Sequence, residues 1–377
     1  MEKLQYNNRL GIYNFCPYIA YRNEQIMKDP CLVPYVFHQI FGYRAVIVTA
    51  KREEYIYQKL VSGLEFDILP DQPDLQAWEN LCCEYIKDNY EKIDIMFCFG
   101  IYTTYSSMIQ TFKKYKPHGK VILKLDANIY WVNRIDFQDS VYRNILENSD
   151  IITCESHRLK KYLSIKWPYR IDYLPNGFIH NNINSEIEYG QKENHIITVG
   201  RIGTPQKANE ILLEGFARCA NQIPSWELRL VGSVEDSFQP YLTEYFDKYP
   251  HLRNRVIFTG KILDKELLYN EYKKAKIFVI TSRYEGGMPN VWAEAAQSGC
   301  YIITSDIEAS NDAINNGSCG IKFPIDNIQA LADCLVKVCS DENCMKDASY
   351  EIQQYVSRFF DYKMGVKKLL ELLKMRS

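Results

Sequence analysis

The sequence predicts an α/β protein with two Rossmann-like domains, whose parallel sheets face a central cleft. Short apolar runs rich in β-branched residues alternate with segments of helical length over all 377 residues, which is typical of strand–helix–strand units. Several runs are apolar throughout, as in strands that are covered on both faces. A polar segment near the midpoint, residues 175–193, separates two sets of six such runs. The predicted domains are therefore 1–178 and 179–348.

The apolar runs give the predicted strands in chain order. Those of the first domain are residues 10–15, 45–49, 93–99, 121–125, 151–154 and 171–174. Those of the second domain are residues 195–199, 227–231, 256–258, 277–281, 301–304 and 320–323. The remaining segment, 349–377, has the spacing of an amphipathic helix. Ligands of doubly wound sheets bind beyond the carboxyl ends of strands, so the residues that follow each strand are the candidates for function.

Composition excludes several classes of protein. The net charge of −2 gives no overall attraction to nucleic acid, and no apolar run approaches the ~20 residues of a membrane-spanning helix. The polar start, MEKLQYNNRL, lacks the apolar core of a signal peptide. Twelve cysteines without a Cys-x-x-Cys pair indicate buried, reduced thiols rather than a zinc site. A soluble, intracellular protein is expected.

The stretch SRYEGGMPNVWAEAAQSGC, residues 282–300, places two carboxylates around a glycine loop. It predicts a strand, a loop at Gly286 and Gly287, and a helix over 289–299, with Glu285 in the loop and Glu294 in the second helical turn. The free N–H groups at the start of that helix form an anion site. An anion site flanked by carboxylates suits a ligand with both phosphates and hydroxyls, as a nucleotide sugar has. The alternative is a structural loop with a helix-capping glutamate.

Two cations follow the first strand of the second domain, in VGRIGTPQKANEILLEGF. Arg201 comes directly after the strand and Lys207 precedes a helix, so both are expected at a strand's carboxyl end. Arginine grips phosphate with two hydrogen bonds, and lysine supplies a point charge beside it. Taken alone, ordinary surface charges on a solvated loop explain the pair better. The neighbouring glycine loop favours a phosphate site.

The first domain gives weaker signals. In VILKLDANIYW, Asp126 and Asn128 follow an apolar run and are expected to face the cleft, with Lys124 flanking them. The default interpretation is a turn-forming aspartate. The stretches 112–120 and 157–167 interleave Lys or Arg with aromatic residues, which suits an anionic membrane surface or a lipid-phosphate acceptor. Ordinary solvated helix faces are the more common explanation.

Three absences narrow the chemistry. The sequence has no GxxxxGK[ST], which would indicate a P-loop, and no GxGxxG, which would indicate an NAD enzyme. No two aspartates have the spacing DxD, so a diphosphate has no evident metal handle. Positive charge for a bound diphosphate would come from Arg201, Lys207 and helix dipoles.

The blocks YLPNGF, VGRIGTPQKANEILLEGF and TSRYEGGMPNVWAEAAQSGCYIITSD resemble, in order and spacing, the signature blocks of retaining GT-B glycosyltransferases of family GT4, glycosyl transferases group 1. The resemblance covers residues 173–338. It implies metal-independent hexosyl transfer from a nucleotide-diphosphate sugar, with no cofactor. It also implies a first domain that binds the acceptor, a second that binds the donor, and a final helix, 349–377, that returns toward the first domain.

The resemblance also assigns roles to residues. It implies that Arg201 and Lys207 hold the diphosphate, that Glu294 binds the ribose and that Glu285 lies against the donor sugar. The three residues Arg201, Lys207 and Glu285 would form the catalytic set. Backbone contacts to sugar and phosphate would come from Gly286, Gly287, Met288, Pro289 and Asn290.

The sequence departs from the family pattern in two places. Eight residues separate Glu285 from Glu294, where the pattern has seven, and the glycine pair is the expected place for the extra residue. Many relatives place a histidine near the sugar, whereas the stretch around Asp126 has none. Asp126 either substitutes for that histidine or shapes the acceptor site, and Asn128 accompanies it.

The implied partners are a UDP- or GDP-sugar and a glycan or lipid-linked glycan acceptor, in bacterial surface polysaccharide synthesis. The expected location is the cytoplasm or the inner face of the cell membrane. Two other functions fit the same fold: a nucleotide-sugar epimerase or hydrolase, and a non-catalytic subunit that binds a nucleotide sugar.

Overall fold

The computed structural model describes residues 9–179 and 187–376, and the chain divides into two units. One unit is Met1–Ile179 together with Tyr362–Ser377, and the other is His180–Asp361. Part of the predicted boundary segment, residues 180–186, lies outside the described residues, as does most of the polar start. Each unit has its own buried apolar core. Among the described residues, no helix is both long and apolar enough to cross a membrane.

The first unit is built on a seven-stranded parallel sheet with the order β3-β2-β1-β4-β5-β6-β7. Its strands are β1 (Gly11–Ala20), β2 (Arg44–Ala50), β3 (Leu64–Ile68), β4 (Ile95–Phe99), β5 (Lys120–Lys124), β6 (Ile151–Cys154) and β7 (Ile171–Tyr173). Its helices are α1 (Asn23–Ile26), α2 (Asp29–Phe41), α3 (Leu75–Asn89), α4 (Tyr105–Tyr115), α5 (Ile129–Val132), α6 (Ser140–Glu147) and α7 (His157–Lys166).

The expectation of six strands in the first half is wrong, because β3 was missed. This strand lies at the edge of the sheet and reads LEFDI, so charged and apolar residues alternate and most of its side chains are partly exposed. Glu65 on β3 pairs with Arg44 on β2 at 2.6 Å. An edge strand needs apolar residues on one face only, so a search for continuous apolar runs misses it.

The second unit is built on a six-stranded parallel sheet with the order β10-β9-β8-β11-β12-β13. Its strands are β8 (Glu193–Val199), β9 (Glu227–Val231), β10 (Val256–Gly260), β11 (Ala275–Ile280), β12 (Tyr301–Ser305) and β13 (Gly320–Phe323). Its helices are α8 (Asn209–Cys219), α9 (Gln239–Lys248), α10 (Lys265–Lys274), α11 (Asn290–Gln297), α12 (Ser310–Ala313), α13 (Ile328–Cys339) and α14 (Glu342–Phe359).

The strand order of the second unit reverses beside β8. The chain first moves outward from β8 to β9 and β10, and it then returns to the other side of β8 with β11. The loops that follow β8 and β11 therefore leave the sheet in opposite directions. A doubly wound sheet opens its ligand crevice at such a reversal.

The end of the chain forms two helices rather than the single helix predicted over 349–377. The first is α14, and the second is α15 (Tyr362–Met375), which belongs to the first unit. The break falls at Phe360, whose buried ring packs against Trp292 with the ring centroids 4.6 Å apart. Within the first unit, the Tyr362 N–H donates to the Phe178 carbonyl at 3.1 Å.

Candidate functional site

Three predicted site residues of the second unit lie on two loops at the reversal of its strand order. The loop after β8 carries Arg201 and Lys207, and the loop after β11 carries Glu285. Because β8 and β11 are neighbours in the sheet, their carboxyl ends present the two loops side by side. Lys207 and Glu285 are 78 residues apart in sequence and form an ion pair of 2.5 Å.

Hydrogen bonds join these two loops into one wall. The Thr281 hydroxyl donates to the Lys207 carbonyl at 2.8 Å, and the Arg283 N–H donates to the Gln206 carbonyl at 2.9 Å. The Gln206 amide donates in turn to the Tyr284 carbonyl at 3.1 Å. Lys207 and Glu285 are therefore held by the backbone on both sides of the crevice.

Arg283 is a positioning residue that the sequence did not reveal. Its guanidinium donates to Glu210 at 2.6 Å, to Asp326 at 2.7 Å and to the Pro205 carbonyl at 2.6 Å. It thereby connects the loop after β8 and two other segments to its own loop. The only local sign was an arginine in the loop after a strand, and its partners lie 43 to 78 residues away.

Glu285 is a fixed carboxylate with three donors. Only 8% of the residue is exposed. One oxygen accepts from the Lys207 ammonium at 2.5 Å and from the Ser282 hydroxyl at 2.5 Å, and the other accepts from the Gln206 amide at 3.1 Å. A carboxylate has about four acceptor positions. These three donors therefore leave about one position for a further hydrogen bond.

A small open cavity lies at the same place. Arg201 is exposed, and Lys207 is half-buried. The cavity thus brings the two predicted cations together with the start of α11. Its lining includes Gly200, Arg201, Lys207, Ser282, Pro289 and Val291.

The predicted helix of the opening stretch is α11, with Pro289 as its N-cap residue in an extended conformation. The prediction of a start at Pro289 is thus accurate to one residue, and Glu294 lies in the second turn. Within the glycine pair of this loop, Gly287 has a φ of 127°, which residues with a Cβ rarely adopt. Trp292 anchors the helix through a 3.0 Å bond from its indole N–H to the Ala313 carbonyl.

Glu294 lies outside the lining of the cavity and faces α10. Its carboxylate accepts from the Tyr272 hydroxyl at 2.9 Å and from the Lys265 ammonium at 3.2 Å. Its side chain remains 28% exposed, so it can accept further hydrogen bonds. Glu285 and Glu294 thus belong to different surroundings, one beside the cations and one beside a tyrosine.

The first unit places a buried charge cluster at the carboxyl end of β5. Lys124 is wholly buried, and its ammonium lies 3.1 Å from Asp29, 3.2 Å from Glu155 and 2.5 Å from the Asn176 amide oxygen. We call these four residues the buried charge cluster. Burial lowers the pKa of Lys124, but Asp29 and Glu155 outweigh it and raise the pKa above its ordinary value. Asn176 comes from the Pro-Asn-Gly turn, so this turn secures the cluster.

Asp126 follows this cluster directly and adopts a left-handed φ of 44°. Its N–H donates to Glu155 at 2.9 Å. Burial, and then the negative charge of Glu155, raise the pKa of Asp126 to about 8, so its carboxyl holds a proton at neutral pH. Asn128 is buried and caps α5, because its amide oxygen accepts from the Trp131 N–H at 3.0 Å. Asp126 thus has a strongly raised pKa, whereas Asn128 stabilises a helix.

Over the two described ranges, no group of three or more His, Cys, Asp or Glu side chains could hold a metal ion. All twelve cysteines are free.

Residues 193–341 match the model of the family described as "Glycosyl transferases group 1". Over 69% of this chain and 68% of the relative, the sequence is 20% identical to a putative glycosyltransferase, YtcC, of Bacillus subtilis. It is 27% identical to a UDP-Gal:α-D-GlcNAc-diphosphoundecaprenol α-1,3-galactosyltransferase of Escherichia coli, and that alignment spans about half of each protein, 54%.

Solved structures show the fold over nearly the whole chain. HepE of Anabaena in complex with UDP superposes with a TM-score of 0.72, covering 97% of this chain and 100% of that one, at 16% identity. Many further solved structures resemble this chain in the same way. Together with the two parallel-sheet units, these similarities show the GT-B fold.

Proposed function

We propose that this chain, a glycosyltransferase that acts on nucleotide sugars, transfers a hexose with retention and without a metal ion. The match of residues 193–341 to the glycosyl transferases group 1 family supports the proposal. The acceptor in this proposal is a hydroxyl of a glycan or a lipid-linked glycan. One observation carries it: Arg201, Lys207 and Glu285 converge beside the start of α11 at the reversal of the sheet order.

The proposed donor site divides the nucleotide sugar among these groups. Arg201 and Lys207 hold the diphosphate, supported by the N-terminus of α11 and the backbone of residues 286–290. Glu294 binds the ribose, since its exposed part can accept hydroxyl hydrogen bonds while Tyr272 holds it in place. The cavity lining supports this division for the two cations, because both border the same space.

Glu285 is proposed to orient the donor sugar rather than to form a covalent bond with it. Its carboxylate already accepts from Lys207, Ser282 and Gln206, so one remaining acceptor position fits a sugar hydroxyl. A carboxylate bonded by an ammonium and two further donors is a weak nucleophile. The same ion pair holds Lys207 in place before the diphosphate arrives, which is the preorganisation that stabilises a departing anion.

The proposed reaction proceeds on one face of the sugar. The bond between the anomeric carbon and the diphosphate oxygen breaks, and the electron pair leaves with the diphosphate. Arg201, Lys207 and the helix dipole stabilise the growing negative charge. The acceptor hydroxyl attacks from the same side, and its proton passes to the departing phosphate. Two cations and a helix terminus replace the charge that a metal ion would supply.

The first unit is proposed to bind the acceptor, with Asp126 near its hydroxyls and Asn128 shaping the adjacent turn. We place the reaction in the cytoplasm, which the twelve free thiols support. A role in bacterial surface polysaccharide synthesis is supported by the name of the Escherichia coli relative, whose acceptor is linked to diphosphoundecaprenol.

The proposal is tested by a thermal-shift screen of UDP-, GDP- and ADP-sugars, followed by product analysis. A donor at about 100 times its Kd should stabilise the protein by ~2.7 kcal/mol. With the acceptor, NMR of the product should show the anomeric configuration of the donor, and EDTA should leave the rate unchanged. Donor consumption without an acceptor would favour the epimerase or hydrolase. Donor binding without any turnover would favour the non-catalytic subunit, and an inverted product would refute retention.

A further inference from the structure

The two basic stretches of the first unit, which look alike in sequence, differ in structure. In the first stretch three of the four lysines are neutralised within the fold. Lys113 and Lys120 pair with Asp150 at 2.8 and 3.4 Å, and Lys116 pairs with Asp94 at 2.7 Å. Such pairs stabilise the unit and leave little charge for a partner. The first stretch is therefore a set of structural ion pairs.

The second stretch forms α7, and α15 adds to its charge. Together, residues 157–170 and 362–376 contain ten Lys or Arg residues and a single carboxylate, Glu371. The whole chain has a net charge of −2, so the rest of the protein is clearly acidic. Such a local excess of positive charge indicates an anionic partner.

Both helices run alongside the edge strand β7, antiparallel to it. The start of α7 lies at the end of β7, where the His157 and Tyr173 rings are 3.8 Å apart. The start of α15 is tied to residues just beyond β7 through Phe178. The end of α15 lies back at the strand, where Arg376 bonds the Asp172 carboxylate. The two helices therefore present their exposed sides along one edge of the unit.

The lysines of α7 and α15 lie at matching positions along the two helices. Lys368 bonds the Tyr173 carbonyl at 2.9 Å, and burial and then the charge of Lys160 lower its pKa, so these two ammonium groups are near each other. Six residues further, about 9 Å along each helix, come Lys166 and Lys374. The lysines of α7 and α15 thus form two rows along the β7 edge of the unit.

An exposed apolar side chain stands beside the last lysine of each row. Ile165, next to Lys166, is 75% exposed, and Met375, next to Lys374, is 71% exposed. Neither of these apolar side chains is packed into a buried core. Lysine ammonium groups flanking apolar side chains suit the boundary between lipid headgroups and acyl chains.

We propose that this surface, formed by Lys160, Lys161, Ile165 and Lys166 of α7 and Lys367, Lys374 and Met375 of α15, binds the anionic phospholipid surface of a membrane. We call it the lysine face. Within residues 9–179 and 187–376, none of its five lysines is within 4 Å of a carboxylate, so their charge is not neutralised as in the first stretch. The two apolar tips select a bilayer over a nucleic acid, which offers phosphates without an apolar layer.

This inference rests on the proposed function in one respect: membrane binding would hold the enzyme where a lipid-linked acceptor is found. The binding itself requires only the lysine face. It lies in the first unit, whereas the donor residues all belong to the second.

The test is sedimentation of the full chain with phosphatidylcholine vesicles that contain about 30 mol% phosphatidylglycerol, compared with phosphatidylcholine alone. Only the anionic vesicles should bind the protein. The face variant replaces four lysines with glutamine: Lys161→Gln, Lys166→Gln, Lys367→Gln and Lys374→Gln. The control variant replaces four other exposed lysines: Lys59→Gln, Lys87→Gln, Lys337→Gln and Lys346→Gln.

The face variant should bind the anionic vesicles at least ~50-fold more weakly, because each basic residue near such a surface strengthens binding about fivefold. The control variant should stay within about twofold of the unchanged protein. A second variant, Ile165→Ser with Met375→Ser, should lose the part of the binding that persists at high salt. Equal losses in the face and control variants would overturn the proposal, as would binding to duplex RNA without binding to vesicles.

Donor binding is the separate readout. The stabilisation by the nucleotide sugar, measured without vesicles, should be the same in the face variant and the unchanged protein. If donor binding persists but no protein sediments with anionic vesicles, the lysine face is refuted and the proposed function stands. If the protein sediments but no nucleotide sugar stabilises it, the proposed function is refuted and the lysine face stands.

Discussion

The carboxyl ends of the two sheets carry similar charged residues, but these residues differ in their exposure to solvent and in their balance of charge. In the second unit, Glu285 and Lys207 form an ion pair, and Lys207 lines an open cavity. In the first unit, Lys124 is sealed from solvent between Asp29 and Glu155. The open pair has a cation that a ligand's phosphate can reach, whereas the sealed cluster has more carboxylates than cations. The same residue types thus line an open cavity in one unit and form a buried charge cluster in the other.

The sealed cluster is broken most directly by Lys124→Met. Removal of the ammonium leaves Asp29 and Glu155 buried without their cation, so the free energy of unfolding should fall by ~3–5 kcal/mol. Urea unfolding measures the change. The control is Lys113→Met, which breaks a partly exposed pair and should cost at most ~1 kcal/mol. Similar losses in the two variants would show that the cluster is not a buried ion pair.

The open pair is tested by Lys207→Ala. The loss of a cation that stabilises the departing diphosphate should reduce kcat by about 10²–10³-fold, equivalent to ~3–4 kcal/mol. The melting temperature should change little, because the lysine is half-buried and borders a cavity. Lys322→Ala is the control, since Lys322 also pairs with a carboxylate, Asp306, at 3.2 Å. Transfer by Lys207→Ala at a rate near that of the unchanged enzyme would show that the diphosphate lies elsewhere.

Substitutions of the two glutamates of the glycine-loop stretch should change different kinetic constants. Glu294→Gln weakens proposed ribose hydrogen bonds that are equal in the ground and transition states, so KM for the donor should rise ~10-fold with kcat nearly unchanged. Glu285→Gln removes the charge partner of Lys207, so kcat should fall. Steady-state kinetics with varied donor measures both. An equal fall of kcat in the two variants would contradict the assignment of separate roles.

Features that depend on residues close together in sequence could be predicted, whereas contacts between residues far apart in sequence could not. The apolar runs predicted twelve strands and the reversal loops, because periodicity and turn residues are local. The edge strand β3 escaped because one half-exposed face leaves no continuous apolar run. The partners of Arg283 and the bond between Lys124 and Asn176 escaped as well, since they join residues 43 to 78 positions apart. Sequence alone placed Arg201, Lys207 and Glu285 on neighbouring loops but could not show which oxygens each cation bonds.

The smallest expected effect concerns the proton on Asp126. Its pKa is raised to about 8 in the folded protein by burial and by Glu155, against ~3.9 in the unfolded chain. The protonated form therefore favours folding, so its contribution is fully present below pH ~4 and is lost as the pH rises through 8. The charges that face Asp126 are Glu155, Lys124, Asp29 and Lys28. The pKa of Glu155 is also raised by burial, so it shares part of this pH dependence.

Asp126→Asn removes the titrating proton and keeps the side chain's size. The unchanged protein should lose ~1–2 kcal/mol of unfolding free energy between pH 7 and pH 9, and the variant should lose less than half as much. Urea unfolding at a series of pH values measures both, with the exposed Asp88→Asn as the control. If the two profiles coincide, Asp126 is ionised throughout this range. The carboxyl end of the first sheet would then resemble that of the second, with a carboxylate ready to accept a hydroxyl proton rather than one that already holds it.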